Sequence, residues 1–379
     1  MGLDDISDEL LLEIVNFVKI GGCNRDLSHL SSCSQHLNRV TTPILYRDIL
    51  QIGQQNLPLL LFTILKKPDL AEYVLRYESS EFEDGELDIS GFSEEQLEMC
   101  HESIKALKIS KEDESEWFSR VQQGEWQALT TLLLLNLPKL KELDLASYRN
   151  FADFQDPKPD AGPLNFLFRK AAGRQTSGDK SAPSLSNLET VSVAYSGTEM
   201  GLGFEDVIPL LELPSVTSFV VHKLDGSAEF DIHPTTQFNA RKLEVIYSSI
   251  EPDALTRFLQ RFPSLEDLWY EHAGAIVGCM EFLPQTLGAG IQHLKHSLRS
   301  LEIFGDPEDT HNDERALAVG SLVDFEKLVD ISTMQITLLG PSDGHGEDSE
   351  DDTKPIHLWN VLPKSLVRLT LIDCNLGIL

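Results

Sequence analysis

Two short segments of this chain resemble the residue spacings of functional sites, one of a phosphate-binding loop and the other of a metal site. Each lacks part of the set of residues that such a site requires. Gly173–Ser181 reads GRQTSGDKS, one residue away from the phosphate-binding pattern Gly-x4-Gly-Lys-Ser/Thr. Asp179 stands before the lysine, and its carboxylate would repel a phosphate. His293 and His296 lie three residues apart with no acidic ligand close by in sequence, which disfavours a metal site. We therefore expect neither a cofactor nor a metal.

Catalytic motifs are also missing from the sequence. It contains no HExxH, no CxxC and no serine nucleophile elbow, so we expect a protein without enzymatic activity. The cysteines are odd in number and scattered, which predicts free thiols in a reducing compartment, the cytoplasm or the nucleus. They are Cys23, Cys33, Cys100, Cys279 and Cys374.

The excess of acidic over basic residues limits the kinds of molecule that this protein is expected to bind. The 379 residues include 31 Lys and Arg against 61 Asp and Glu, which gives a formal net charge of −30. Such a charge repels nucleic acid and anionic lipid, so neither is expected as a partner, whereas a basic protein is. The apolar runs are too short to span a bilayer.

The first fifty residues predict a small helical domain. Asp8–Lys19 has apolar side chains on two stripes, where one stripe suffices to bury a helix in its own domain. One stripe is Leu10, Ile14 and Phe17, and the other is Leu11, Val15 and Val18. A further helical pattern starts near Asn24 and runs to about Pro43. The spare stripe suggests a surface for a partner protein.

The rest of the chain repeats the phrase Leu-x-x-Leu-x-Leu. The alternation places two side chains on the core face of a short strand, and most copies follow a helical stretch and a proline. The strong copies are LPKLKELDL (137–145), LSNLETVSV (185–193), LPSVTSFVV (213–221), FPSLEDLWY (262–270), SLRSLEI (297–303) and LPKSLVRLTL (362–371). Weaker copies are placed at Ile104–Ile109, at Leu243-x-x-Ile246 and at Leu328-x-x-Ile331. The last strong copy extends through Cys374 and Leu376 to resemble the full leucine-rich-repeat consensus.

These patterns predict an irregular α/β solenoid of leucine-rich repeats preceded by a small three-helix domain. The expected boundaries are 1–50 for the helical domain, 51–99 for a helical linker and the start of the solenoid, and 100–379 for the solenoid. Insertions rich in Gly, Pro, Ser or acidic residues predict loops at about 147–183, 306–314 and 340–354.

The residues between the two core positions of each copy point to the opposite, concave face of the strands. There, an aromatic and aliphatic patch with an acidic rim is predicted, which is typical of a protein-binding hot spot. Its members are Val220, Tyr247, Trp269, Glu271, Glu302 and Phe304, and Asp267 also belongs to the acidic rim. We expect it to bind a basic segment of a target protein. The alternative is that an insertion covers the patch or that the register drifts and buries it.

The first fifty residues also resemble an F-box. That family's pattern is Leu-Pro-x-Glu-Leu/Ile, a later Leu/Ile, then Asp-Leu and Leu-Tyr-Arg. Ile6 and Ser7 stand at the Leu-Pro position, followed by Glu9, Leu10 and Ile14. The later anchors are matched by Asp26, Leu27 and the run Leu45–Arg47. The departure is Ser7 in place of proline, which removes a rigid turn but can still cap a helix.

An F-box followed by leucine-rich repeats resembles the substrate receptors of Skp–cullin–F-box ubiquitin ligases, particularly the fungal set. The resemblance implies that the helical domain binds the Skp adaptor and that the concave face binds the substrate. The adaptor-facing positions implied are Ile6, Ser7, Leu10, Leu11, Ile14, Leu27, Leu30 and Leu37. The alternative is an interaction scaffold outside any ligase, in which the F-box-like helices only cap the repeats.

Overall fold

The computed structural model describes residues 6–21, 24–80, 87, 89, 91–149, 162–177, 185–197, 201–226, 235–272, 282–305, 318–340 and 357–372. The chain forms two compact units. The first unit is Met1–Ala146 with Ala161–Glu189, and the second unit is Ser147–Asp160 with Thr190–Leu379. The predicted loops at 306–314 and 340–354 lie outside the described residues, apart from Gly340.

The first unit opens with three helices that share one core. They are α1 (Asp8–Gly21), α2 (Asn24–Ser31) and α3 (Gln35–Arg47). The inner stripe of α1 packs against apolar residues of α2 and α3, because helical spacing brings these side chains to facing sides. The buried residues of this core are Leu11, Val15, Leu27, Leu37, Val40 and Ile44.

The helical pattern that starts near Asn24 is divided into α2 and α3, and it does not stop at Pro43 as the sequence predicts. The Ser34 hydroxyl accepts a hydrogen bond from the Leu37 backbone N–H at 3.2 Å and so caps the start of α3. Pro43 lies inside α3, which continues to Arg47. A proline in a helix removes one backbone hydrogen bond. Burial of Val40 and Ile44 in the shared core offsets that loss.

The remaining elements of the first unit alternate helices with parallel strands. They are β1 (Asp48–Ile52), α4 (Leu57–Lys66), α5 (Pro68–Ala71), β2 (Arg76–Ser79), α6 (Glu94–Lys105), α7 (Lys111–Gln122), α8 (Trp126–Leu135), β3 (Glu142–Arg149) and α9 (Pro163–Ser177). Strand β2 pairs in parallel with β1 and with β3, and Tyr77 stands opposite both Ile49 and Leu143. Every residue of α8 is buried, which explains its largely apolar sequence, in which Gln127, Thr130 and Thr131 are the polar residues.

Two sequence predictions in the first unit are wrong. Ile104 belongs to α6, which a capping box between Ser93 and Gln96 starts, so Ile104–Ile109 is not a strand. The segment 147–183, predicted as a loop, contains the fifteen-residue helix α9. Its apolar residues Leu164, Leu167, Phe168, Ala171 and Ala172 are buried at helical spacing, and the neighbouring Gly and Pro residues concealed this pattern.

The second unit is a parallel sheet whose strands are joined by helices and irregular segments. Its elements are β4 (Thr190–Tyr195), α10 (Phe204–Leu211), β5 (Ser218–His222), β6 (Asp225–Gly226), β7 (Lys242–Ile250), α11 (Pro252–Leu259), β8 (Asp267–His272), α12 (Pro284–Ile291), β9 (Ser300–Phe304), β10 (Asp330–Met334), α13 (Gln335–Leu339) and β11 (Arg368–Ile372). The strand order is β4-β5-β7-β8-β9-β10-β11, with β6 beside β7. The six strong repeat copies are confirmed as β3, β4, β5, β8, β9 and β11.

The side chains on one face of this sheet form part of the core of the second unit. Strands β4, β5, β8 and β9 alternate buried and partly exposed residues throughout, as a half-buried strand does. Beneath them, Phe258 contacts Phe204, Phe238 and Phe262 with ring centroids 5.2, 6.2 and 5.2 Å apart. These aromatic contacts join helices α10 and α11 to each other and to the segments that contain Phe238 and Phe262.

A repeated turn fixes the start of strands β8 to β11. The backbone N–H groups of Glu266 and Asp267 both donate to the Arg241 carbonyl, and those of Arg299 and Ser300 donate to the Glu266 carbonyl. The same arrangement recurs at β10 and β11. Side chains follow it, since Glu266 accepts from Arg241 at 2.6 Å and lies 3.4 Å from Arg299. Each repeat therefore enters the sheet in register with the one before it.

Candidate binding surface

The face of the second unit's sheet opposite its core, called the open face below, carries three rows of side chains. The rows arise because parallel strands in register place equivalent residues side by side, about 4.8 Å apart. The central row is Ser192, Val220, Glu244, Trp269, Glu302, Ser332 and Thr370. The lower row is Thr190, Ser218, Lys242, Asp267, Ser300, Asp330 and Arg368. On β8 and β9, the upper row is Glu271 and Phe304.

Trp269 lies at the centre of the open face. Its ring meets that of Phe304 edge to face, with centroids 6.1 Å apart and an interplanar angle of 68°. Its Nε1 is enclosed and makes no hydrogen bond within the described part of the chain. The indole therefore contributes its apolar and π surface to the open face rather than a hydrogen-bond donor.

Carboxylates surround the indole. Asp267 and Glu271 stand two residues before and after it on β8, so they lie on the same face of the strand. Glu244 and Glu302 stand directly opposite it on the neighbouring strands β7 and β9. All four side chains are partly buried. We call Trp269 and these four residues the acidic surround.

Ion pairs neutralise only part of this charge. Lys242 contacts Glu244 at 2.6 Å, and Arg368 forms an ion pair with Asp330. Asp267, Glu271 and Glu302 have no ion-pair partner among the described residues. The open face therefore keeps uncompensated negative charge next to an aromatic ring.

The pKa values of the unpaired carboxyls reflect this environment. Loss of solvent raises the pKa of Glu271. It also raises the pKa of Glu302, with further contributions from Asp330 and Glu244. The pKa of Asp267 is raised by loss of solvent and by Glu266, against smaller opposing effects of Lys242 and Arg299. Their charged forms are therefore less stable here than on an open surface, and a bound cation would stabilise them.

Most residues predicted for the target-binding patch meet on the open face. Val220, Trp269 and Glu302 lie in the central row, and Glu271 and Phe304 lie in the upper row. The alternative of burial by register drift does not apply to these five side chains, since all of them remain partly exposed.

Tyr247 is the exception, and the predicted register of its repeat is wrong. Leu243 and Val245 are the core pair of β7, so Glu244 and not Tyr247 stands opposite Trp269. The copy reads Ala240-x-x-Leu243-x-Val245, and the alanine in place of a leucine concealed the correct frame. Tyr247 lies at an irregularity between Val245 and Ser248, and it is 49% exposed. Glu244 and Lys242 are the residues that sequence reasoning missed.

The residues predicted to face an adaptor divide between a surface and a core. Leu10 and Ile14 are exposed on α1 together with Phe17, whereas Leu11, Leu27 and Leu37 are buried inside the helical domain. Ile6 and Leu30 are partly buried against that core, and Ser7 is exposed. We call Leu10, Ile14 and Phe17 the outer stripe.

Other kinds of site find no support in the described residues. They contain no group of three or more His, Cys, Asp or Glu side chains that could hold a metal ion. They also contain no helix long and apolar enough to cross a membrane. Of the segment that resembles a phosphate-binding loop, Gly173–Ser177 is the end of α9, and the rest lies outside the described residues.

Comparison with known families assigns the repeats. A family model described as a leucine-rich repeat domain matches residues 48–374, which begin at the first strand, β1. No curated protein matches the chain. Leucine-rich repeat domains suggest protein–protein interaction, in agreement with a sheet face that carries an aromatic and acidic surface. The parallel in-register strands and the family match together show that the chain belongs to the leucine-rich repeat family.

Proposed function

We propose that this protein is the substrate-recognition subunit of a Skp–cullin–F-box E3 ubiquitin ligase. In this role the helical domain α1–α3 binds the Skp adaptor, and the open face binds the target protein. The protein would act without catalysis, cofactor or metal, in the cytoplasm or the nucleus. The observation that carries the proposal is the outer stripe on a domain whose own core is already filled.

The outer stripe is an exposed apolar surface on α1. Leu10 is 60% exposed, Ile14 39% and Phe17 78%, and all three lie on one side of α1. Burying such a side chain stabilises a complex by about 1.5–3 kcal/mol. A helix that only capped the repeats would carry polar residues on this side. The stripe therefore favours a partner that covers it.

The helical domain also fixes the direction in which the outer stripe points. Leu11 and Val15 anchor α1 from below in the shared core. At its start, Asp8 contacts His36 at 2.7 Å and Arg39 at 2.8 Å, both on α3. Although Ser7 replaces the proline of the F-box pattern, α1 still begins at Asp8. A preformed surface of this kind loses little conformational entropy on binding.

The mechanism that follows is one of proximity. A receptor that holds the adaptor through one domain and the target through another makes ubiquitin transfer to the target effectively intramolecular. The chain's own task is then binding and orientation. This explains why no catalytic set is required in its sequence.

Co-expression with a Skp adaptor followed by gel filtration tests the proposal. We expect the wild-type chain to co-elute with the adaptor, and Leu10→Arg and Phe17→Arg to elute alone, because each places a charge in the apolar contact. Asn16→Arg is the matched control, since it adds the same charge to an exposed position of α1 about 100° around the helix from Phe17.

A monomeric wild-type chain would overturn the ligase role and leave an interaction scaffold with a helical cap. Equal loss of co-elution for Asn16→Arg would show that added charge, and not the outer stripe, disrupts binding.

A further inference from the structure

The acidic surround has a composition that matches one type of ligand group. Its centre is an indole ring, and its unpaired carboxylates approach from three directions, with Asp267 and Glu271 along β8 and Glu302 across from β9. Residues two apart on a strand are about 6–7 Å apart, and residues on neighbouring strands are about 4.8 Å apart. A cation placed over Trp269 is therefore within reach of all three carboxylates.

A guanidinium fits this arrangement better than an ammonium. It is planar, so it stacks on an aromatic face, and its several N–H donors can bind more than one carboxylate at once. It is also more weakly hydrated, so moving it onto a partly buried surface costs less than moving a lysine ammonium. The edge-to-face contact with Phe304 at 6.1 Å helps to hold the indole in place.

Ion pairs elsewhere on the open face confine the preference for a guanidinium to the area around Trp269. Lys242 neutralises Glu244 at 2.6 Å, and Arg368 forms an ion pair with Asp330. Negative charge without a partner among the described side chains is left around Trp269 on the open face. A ligand with one correctly placed cation is therefore expected, rather than a general polycation.

We propose that Trp269 with Asp267, Glu271 and Glu302 forms a subsite that binds the side chain of one arginine in an extended basic segment of the target protein. The inference rests on the proposed function, in which the open face holds the target. It adds the chemical class of the residue that is recognised and the groups that recognise it.

The test uses the purified full-length chain and three fluorescein-labelled peptides, (Arg-Ser)4, (Lys-Ser)4 and (citrulline-Ser)4. Alternation with serine puts all the cations on one side of an extended peptide. By fluorescence anisotropy we expect the arginine peptide to bind about tenfold more tightly than the lysine peptide, because cation–π stacking and bidentate hydrogen bonds favour the guanidinium. The uncharged citrulline peptide should not bind.

Two variants locate the binding. Trp269→Leu should weaken binding of the arginine peptide about thirtyfold, as for the central residue of a hot spot. Glu302→Gln, which keeps the shape of the side chain, should weaken it about tenfold. The matched controls are Trp359→Leu and Glu326→Gln, because Trp359 is 73% exposed outside the strands and the Glu326 side chain is 66% exposed. Both controls should bind like the wild type.

Equal affinity for the arginine and lysine peptides would overturn the proposal. So would a loss in Glu326→Gln as large as that in Glu302→Gln, since it would indicate attraction by net charge alone. Circular dichroism identifies a variant that fails to fold, and Glu302→Gln then stands in for Trp269→Leu. Peptide binding needs no adaptor, so a chain that discriminates arginine but does not co-elute with Skp would keep the subsite and lose the ligase role.

Discussion

At the scale of single residues, the open face combines groups that are unfavourable for the free protein. Asp267, Glu271 and Glu302 are partly withdrawn from water next to an aromatic ring, and the pKa of each is raised. A raised pKa means that the folded chain disfavours the charged form relative to the unfolded chain. Carboxylates whose charged form is disfavoured in the free protein are expected where a ligand supplies the opposite charge.

The pH dependence of peptide binding follows from these shifts. Only ionised carboxylates bind the cation, and their raised pKa values cause them to protonate at higher pH than exposed carboxyls. The affinity for (Arg-Ser)4 should therefore fall as the pH decreases from 7 through the range in which carboxyl groups protonate, down to about pH 4, measured by anisotropy at constant ionic strength. For Glu302, the groups that face it are Asp330, Glu244, Arg368 and Lys242. An affinity that stays constant over this range would show that these carboxylates do not hold the peptide.

Stability and binding should respond in opposite directions to Glu302→Gln. The pKa of Glu302 is raised in the fold, so its charge destabilises the folded state above the unfolded pKa, and removing the charge restores stability. We expect a higher thermal unfolding midpoint at pH 7 and a smaller gain at pH 4.5, while the affinity for (Arg-Ser)4 falls. A lower midpoint at pH 7 would indicate that Glu302 serves the fold instead.

At the scale of elements, one irregularity in β7 decides the exposure of Tyr247. The Ser248 hydroxyl accepts a hydrogen bond from the Leu224 N–H at 2.9 Å and donates to the Ile246 carbonyl at 3.0 Å. Tyr247 adopts a φ of 49°, and the pairing with β8 shifts between Val245 and Ser248. Alternation from the buried Leu243 and Val245 would direct Tyr247 toward the core, and the shift leaves it exposed instead.

Helix α12 illustrates how closely the repeats pack. A Cβ at Gly288 would lie 1.8 Å from the Val319 carbonyl oxygen, so any larger residue must displace backbone. We expect Gly288→Ala to reduce the free energy of unfolding by about 1–3 kcal/mol, although alanine favours helices. The measurement is a urea titration followed by circular dichroism.

Gly173 is the matched control for this substitution. It lies within helix α9, and a Cβ there meets no atom within 4 Å. Gly173→Ala should therefore raise the free energy of unfolding by about 0.5–1 kcal/mol through helix propensity alone. If both substitutions changed stability in the same direction, the close approach at Gly288 would not be the cause.

At the scale of the whole molecule, the net charge of −30 attracts any basic partner. This attraction acts over distances at which salt screens it, about 10 Å at 0.1 M ionic strength. Contacts in the acidic surround are shorter and partly shielded from solvent. Long-range attraction and local recognition can therefore be separated by ionic strength.

Peptide binding at several salt concentrations tests this separation. Raising NaCl from 50 to 300 mM should weaken binding of (Arg-Ser)4 and (Lys-Ser)4 alike, because both lose the long-range attraction. The ratio of the two affinities should change little, since it arises from stacking and bidentate hydrogen bonds. A ratio that falls to one at 300 mM would assign the preference to long-range charge.

The sequence by itself determined the class of fold and much of the surface. Because a leucine-rich repeat uses a short strand with a fixed alternation, the strong copies placed Val220, Trp269, Glu271, Glu302 and Phe304 correctly. Likewise, helical periodicity separated the two stripes of α1, of which one is buried and the other exposed. These are local patterns, and local geometry is enough to interpret them.

Only the tertiary structure decided the features that depend on neighbouring strands. The alanine at 240 disguised the frame of β7, and the pairing with β8 was needed to place Glu244 opposite Trp269. Pairing across strands likewise gave Glu244 and Asp330 ion-pair contacts that Asp267, Glu271 and Glu302 lack within the described part of the chain. In a parallel sheet, residues far apart in sequence become neighbours through hydrogen-bonded register, which no local pattern encodes.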